Sequence, residues 1–163
     1  MFEIIFYLTS AIAVFAAGSI LVVRHPVHAA LYLVTTLLAL ALLFFLLGAP
    51  LLAALQVIIY AGAIMVLFLF MIMVMNLRPV RVKPFSLPPG WKGPSVLALI
   101  LWLELLLLFA RLPPEKTDDM PNIDPKAVGH TLFGPYLLVV EAAAVLLLAA
   151  LVAALYLSRK SRA

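Results

Sequence analysis

The sequence predicts an all-α integral membrane protein with five transmembrane helices, N-terminus outside and C-terminus cytoplasmic. Three observations carry this. Of 163 residues, 67% are hydrophobic and only 11% are charged, against roughly 45–50% and 25% in soluble domains. The apolar residues fall into five runs long enough to cross a bilayer, each needing about 20 residues. The basic residues collect in alternate connections. No strand alternation is present. In hydrocarbon, helices satisfy the backbone polar groups within one segment.

The first run, Phe2–Val23, ends at Arg24. Its only early charge is Glu3, so it lacks the basic start of a signal peptide and is expected to be a retained helix. The second run covers Ala29–Leu47. Pro26, in the link "RHPVH", suits a first helical turn because its missing N–H has no partner there anyway. The third run, Leu51–Met75, follows the short link "GAP" (Gly48–Pro50), which makes helices two and three antiparallel neighbours. The fourth covers Pro94–Ala110 and the fifth Pro135–Leu157. The connection Asn76–Gly93 holds Pro79, Pro84, Pro88 and Pro89 and reads as an irregular cytoplasmic loop. Arg111–Phe133 mixes acids, bases and prolines and reads as the outer loop. The whole chain, 1–163, is expected to be a single membrane domain.

Orientation follows from the cations. One face holds Arg24, Arg78, Arg81, Lys83, Lys92, Arg159, Lys160 and Arg162. The other holds Arg111, Lys116 and Lys126, diluted by Glu115, Asp118, Asp119 and Asp124. The positive-inside rule places the first set in the cytoplasm. Trp91 and Tyr156 suit an inner aromatic belt, Phe2 and Tyr136 an outer one.

Several polar groups lie within the runs. Gln56 and Tyr60 are four apart and share one face of an α-helix, with Ala63 and Leu67 continuing it. They read either as a polar clasp between packed helices or as the lining of a hydrated path. Gly62, in "AGA", reads first as a place where a neighbouring helix comes close; the functional alternative is a point where a π-bulge can form and relax, which spacing alone does not reveal. Glu104 in "LWLELLLL" and Glu141 in "YLLVVEAAAV" are costly in hydrocarbon, about 2.5–3.5 kcal/mol for an ionised acid at the centre. Each reads as a protonated or paired carboxyl that holds another subunit, or as a proton relay. Ala142, Ala149 and Ala153 form a small-residue face beside Glu141.

There is no cysteine, so disulfides, thiolate metal sites and iron–sulfur ligation within this chain are excluded. His25 and His28 are three apart but have no further ligand nearby, and read as interface histidines. Met65, Met71, Met73 and Met75 read as packing residues. The net charge of +4 sits in loops, which argues against a nucleic-acid surface. No phosphate loop, nucleophile triad or catalytic acid pair is present. No catalytic, cofactor-binding or metal site is expected in the chain.

Two stretches carry a family resemblance. "VIIYAGAIMVLFLFMIMVMNL" resembles the third transmembrane helix of the J-subunit (NuoJ) family of respiratory complex I, whose mitochondrial counterpart is chain six. "HPVHAALYLV" is similar to that family's "NPVxSALxLV", with His25 in place of asparagine and Ala29 in place of serine. The resemblance implies a non-redox membrane subunit of the proton-translocating NADH:quinone oxidoreductase of the respiratory chain, in the bacterial inner (plasma) membrane. It implies that FMN, iron–sulfur clusters and quinone belong to partner subunits, and that the partners are membrane-arm subunits, especially K, A, H and N, together with lipid. It implies a third helix able to carry a π-bulge whose conversion to α-helix opens or closes a water path. On that basis Tyr60 and Gly62 are the matching positions, with Ala61, Ala63 and Val66 in the same region. A one-residue shift would turn everything beyond it by about 100°, carrying Val66, Leu67 or Phe70 into or out of a gap. Related subunits of cation/proton antiporters and membrane-bound hydrogenases, and a purely structural adaptor, are the alternative readings.

Overall fold

A computed structural model describes residues 2–23, 25–74, 91–111 and 123–160. The cations Arg24, Arg78, Arg81, Lys83, Lys116 and Arg162, and with them much of the charge asymmetry, lie outside the described residues. The chain divides into two units, Met1–Asn122 and Ile123–Ala163.

In the first unit, α1 spans Phe2–Val22 and α2 spans Pro26–Leu46. Their hydroxyls are satisfied locally. Thr9, Ser10, Ser19, Thr35 and Thr36 each donate to the carbonyl four residues back, at 2.7–3.0 Å. A helix in hydrocarbon can therefore carry these groups without seeking a partner elsewhere. α2 starts on an extended His25 with Pro26 in its first turn. It ends in a Schellman turn. Gly48, at φ 76°, donates to Phe45, and Ala49 donates to Phe44. Only a residue without a side chain takes that left-handed conformation cheaply. The turn feeds Pro50 into the first turn of the next helix.

That next helix is one rod, Pro50–Val74, in three parts: α3 (Pro50–Leu55), a π-wound segment (Gln56–Ile64) and α4 (Met65–Val74). α5 follows as Lys92–Arg111. α2 is the hub, touching α1, α3, the π segment, α4 and α5. One core joins Ile12 and Ala13 of α1, Ala39, Leu42 and Leu46 of α2, and Leu101 and Leu108 of α5. A second joins Ala30 of α2 to Met65 and Ile72 of α4. Fully buried alanines (Ala16 and Ala39) let the helices close up.

The starts of α2 and α5 meet. The rings of His25 and His28 are 5.0 Å apart, and Trp91 stands edge-on to His28 at 6.5 Å. The Tyr32 hydroxyl lies where a side chain on Gly93 would be.

The second unit holds α6 (Pro125–Leu132) and α7 (Leu137–Lys160). α6 falls within the stretch expected to be an outer loop. Its signal is local: Asp124 accepts from the Lys126 amide at 3.1 Å, and Pro125 opens the first turn, the usual pairing of an N-cap acid with proline at N1.

Among the described residues, four helices are long and apolar enough to cross a membrane: Glu3–Val22, Pro26–Leu46, Pro50–Val74 and Leu137–Ser158. α5, the fifth expected span, is a helix of 20 residues with Glu104 in its middle.

Gly93→Ala should destabilise the chain by about 1–3 kcal/mol, the range for overpacking. In a Tyr32→Phe background the same change should become neutral or stabilising, because alanine is the better helix former. SDS-induced unfolding of the full chain in detergent micelles measures both.

Candidate functional site: the π-wound third helix

The coil widens for nine residues, Gln56–Ile64, between two stretches of ordinary α-helix. At its far end the Met65 N–H faces the Gly62 carbonyl, three residues back, and the Tyr60 carbonyl, five residues back, the latter the spacing of π winding. The flanks are unstrained, with Leu55 at φ −62°, ψ −37° and Met65 at φ −71°, ψ −37°.

Gly62 fits this winding for a steric reason. A Cβ there would lie 3.1 Å from the Val57 carbonyl oxygen, five residues back. The wide coil brings residues five apart together, and a glycine at the upper position leaves that oxygen free. In α-helix, by contrast, glycine costs roughly 1 kcal/mol relative to alanine. The same residue therefore eases one winding and weakens the other.

Packing pins the segment at both ends and leaves its middle loose. Gln56 is buried at 9% exposure and Met65 at 2%. Between them no side chain is fully buried: Ala61 and Gly62 are half-buried, and Val57, Ile58, Ile59, Tyr60, Ala63 and Ile64 are exposed on the surface of the chain. Gln56 and Tyr60 thus part company, one buried and one about half exposed (51%). Val66, Leu67 and Phe70 also point outward, away from the Met65–Ala30 core.

A groove of about 650 Å³ opens between α2, α3 and α5. Thr35, Leu38, Ala53, Val57, Ala98 and Trp102 are among its walls. Its lining is almost wholly apolar, and Val57 brings it to the start of the π segment.

Of the two intramembrane acids, Glu104 is buried inside the first unit, where Oε2 lies 3.1 Å from the Thr9 hydroxyl. Its neighbour is thus a residue of its own chain. Sequence reasoning does not reach Thr9; the only hint is a threonine in an otherwise apolar run. Glu141 is exposed on α7. Among the described residues no three potential ligands gather to hold a metal ion.

The fold and the site together define a class: a multi-pass helical membrane protein whose third helix carries a long π-wound segment between buried anchors. The chain belongs to the family described as NADH-ubiquinone/plastoquinone oxidoreductase chain 6, which it matches over residues 10–157. It is 52% identical over 161 residues to NADH-quinone oxidoreductase subunit J of Pseudomonas aeruginosa, covering 97% of each chain. It is 43% identical to the subunit J of Escherichia coli (strain K12), covering 99% of this chain and 89% of that one. With the subunit J of Rhodobacter capsulatus it shares 30% identity, covering 99% of this chain and 84% of the other.

Gly62→Ala should shift the winding toward α-helix. The Cβ presses on the Val57 oxygen in the wide coil, and alanine favours the narrow one by roughly 1 kcal/mol, about fivefold in population. Electron cryo-microscopy of the assembled complex carrying this change should show a shortened or absent π segment. An unaltered segment in the variant would remove Gly62 from the account.

Proposed function

We propose that this chain is the membrane subunit of a proton-translocating NADH-quinone oxidoreductase that fills the place of subunit J, and that its third helix helps couple quinone reduction to proton movement by changing its winding. The observation that carries the coupling role is the nine-residue π segment held between buried Gln56 and Met65. Family membership and relatives bearing the name NADH-quinone oxidoreductase subunit J support the assignment to that enzyme.

In this reading the chain is one membrane domain that crosses a bacterial plasma membrane five times, with α5 as the fourth crossing, N-terminus outside and C-terminus in the cytoplasm. The K, A, H and N subunits are its neighbours. FMN, iron–sulfur clusters and quinone are held by partner subunits. The residues of this chain supply a moving wall.

The mechanism follows from the anchors. Converting π to α winding removes the extra residue of the wide turn and rotates all that follows by about 100°. Met65 cannot then keep its seat against Ala30. Withdrawing a buried methionine gives up its close packing against Ala30 and Ile72, so the two windings are distinct packings rather than a continuum. The rotation swings Val66, Leu67 and Phe70 about the helix axis. These bulky side chains close or clear a water path between this helix and a neighbouring subunit. Tyr60, half exposed in the loose middle, presents its phenol to that path, and Ala61 and Ala63 leave room beside it. The gate works by packing and moves no proton itself.

Gly62→Leu, which holds the segment in one winding, should lower the protons moved per NADH oxidised while quinone reduction persists. Tyr60→Phe should slow or uncouple pumping to a lesser degree. Proton uptake by proteoliposomes of the assembled enzyme, set against NADH oxidation, reads both. Full pumping with a demonstrably straight third helix would end the proposal.

A further inference from the structure

Glu104 has a place that the gate does not use. It lies on the α5 face that also bears Leu101 and Leu108, and it is 4% exposed. Leu101 and Leu108 pack with Ile12 and Ala13 of α1 and Ala39, Leu42 and Leu46 of α2, and the fully buried Thr9 of α1 meets Glu104 itself. The Thr9 oxygen is 2.8 Å from the Ile5 carbonyl and 3.1 Å from Glu104 Oε2. Glu104 Oε1 is buried with no hydrogen-bond partner among the described residues.

The hydrogen count decides how these atoms pair. A threonine hydroxyl has one proton to give and lone pairs to receive with. If the carboxyl were ionised, that single proton would be claimed by both the Ile5 carbonyl and Glu104. A carboxylate would then sit beside an apolar core with one hydrogen bond at most and no ion-pair partner among the described residues, the costly arrangement for a buried ion. If the carboxyl carries its proton, each donor is used once. Glu104 O–H gives to Thr9, Thr9 O–H gives to Ile5, and α1 is closed on α5 by a short directed chain.

We propose that Glu104 is a neutral carboxylic acid that donates to Thr9, a clasp between α1 and α5 that keeps its proton through the catalytic cycle. Its role is to position the two helices; it is no station on the proton route. The enzyme assignment enters only through the pumping measurement below, and the spectroscopic test stands without it.

Infrared spectroscopy of the full chain in lipid nanodiscs, with isotope-labelled glutamate, makes the first test. The wild-type-minus-Glu104→Gln difference should contain the C=O stretch of a protonated carboxyl at neutral pH. Thr9→Val should move that band to higher frequency, since the donated bond is lost, and this variant leaves Glu104 itself unaltered. Loss of a carboxylate band instead, or a protonated band that Thr9→Val leaves in place, overturns the proposal. In the assembled enzyme, Glu104→Gln keeps a donor at the same position and should hold pumping within twofold of wild type. A tenfold loss of pumping with quinone reduction retained would make Glu104 a proton carrier and overturn the clasp.

Discussion

Hydrocarbon offers no hydrogen bonds, and that single constraint organises this chain. Every backbone N–H and C=O within the apolar runs must find its partner inside the same segment. α-Helix does this, and so does π winding, with a longer step between donor and acceptor. Two coils are therefore available to the third helix, and neither leaves a polar group bare. A kink or an unwound stretch would expose backbone to lipid. A change of pitch does not, and this makes winding a permissible variable in a membrane.

Side-chain packing then selects between the coils. α2 acts as the common wall, with alanines where helices approach and larger residues where they interlock. Met65 and Gln56 are buried at the two ends of the wide turn, and Gly62 leaves the Val57 carbonyl clear of a side chain within it. The glycine term is of order 1 kcal/mol, and packing at the two anchors adds to it.

The third helix and the first two are legible from hydropathy alone, because twenty consecutive apolar residues admit few readings. Pro26 and the "GAP" link mark their boundaries to within a few residues. The short α6 is not legible in this way, since Asp124–Pro125 is as much loop chemistry as a helix start. Gly62 beside Tyr60 signals a weak point, but the nine-residue extent of the wide turn depends on which neighbours seat on α2, and that is a property of tertiary packing. The facing of Glu104 toward Thr9 is hidden for the same reason: residues 95 apart in sequence meet only once α1 and α5 are placed. That Gln56 is buried and Tyr60 half exposed is likewise set by the neighbours that surround each, which a spacing of four does not reveal.

The groove beside α3 ties this helix to its surroundings. Val57 is both one of its walls and the owner of the carbonyl that a side chain at Gly62 would crowd. A fatty tail or a foreign helix lodged there would lean on the first turn of the wide coil like a wedge at a hinge. The groove and the wide coil thus share one residue, and what fills the first bears directly on the geometry of the second.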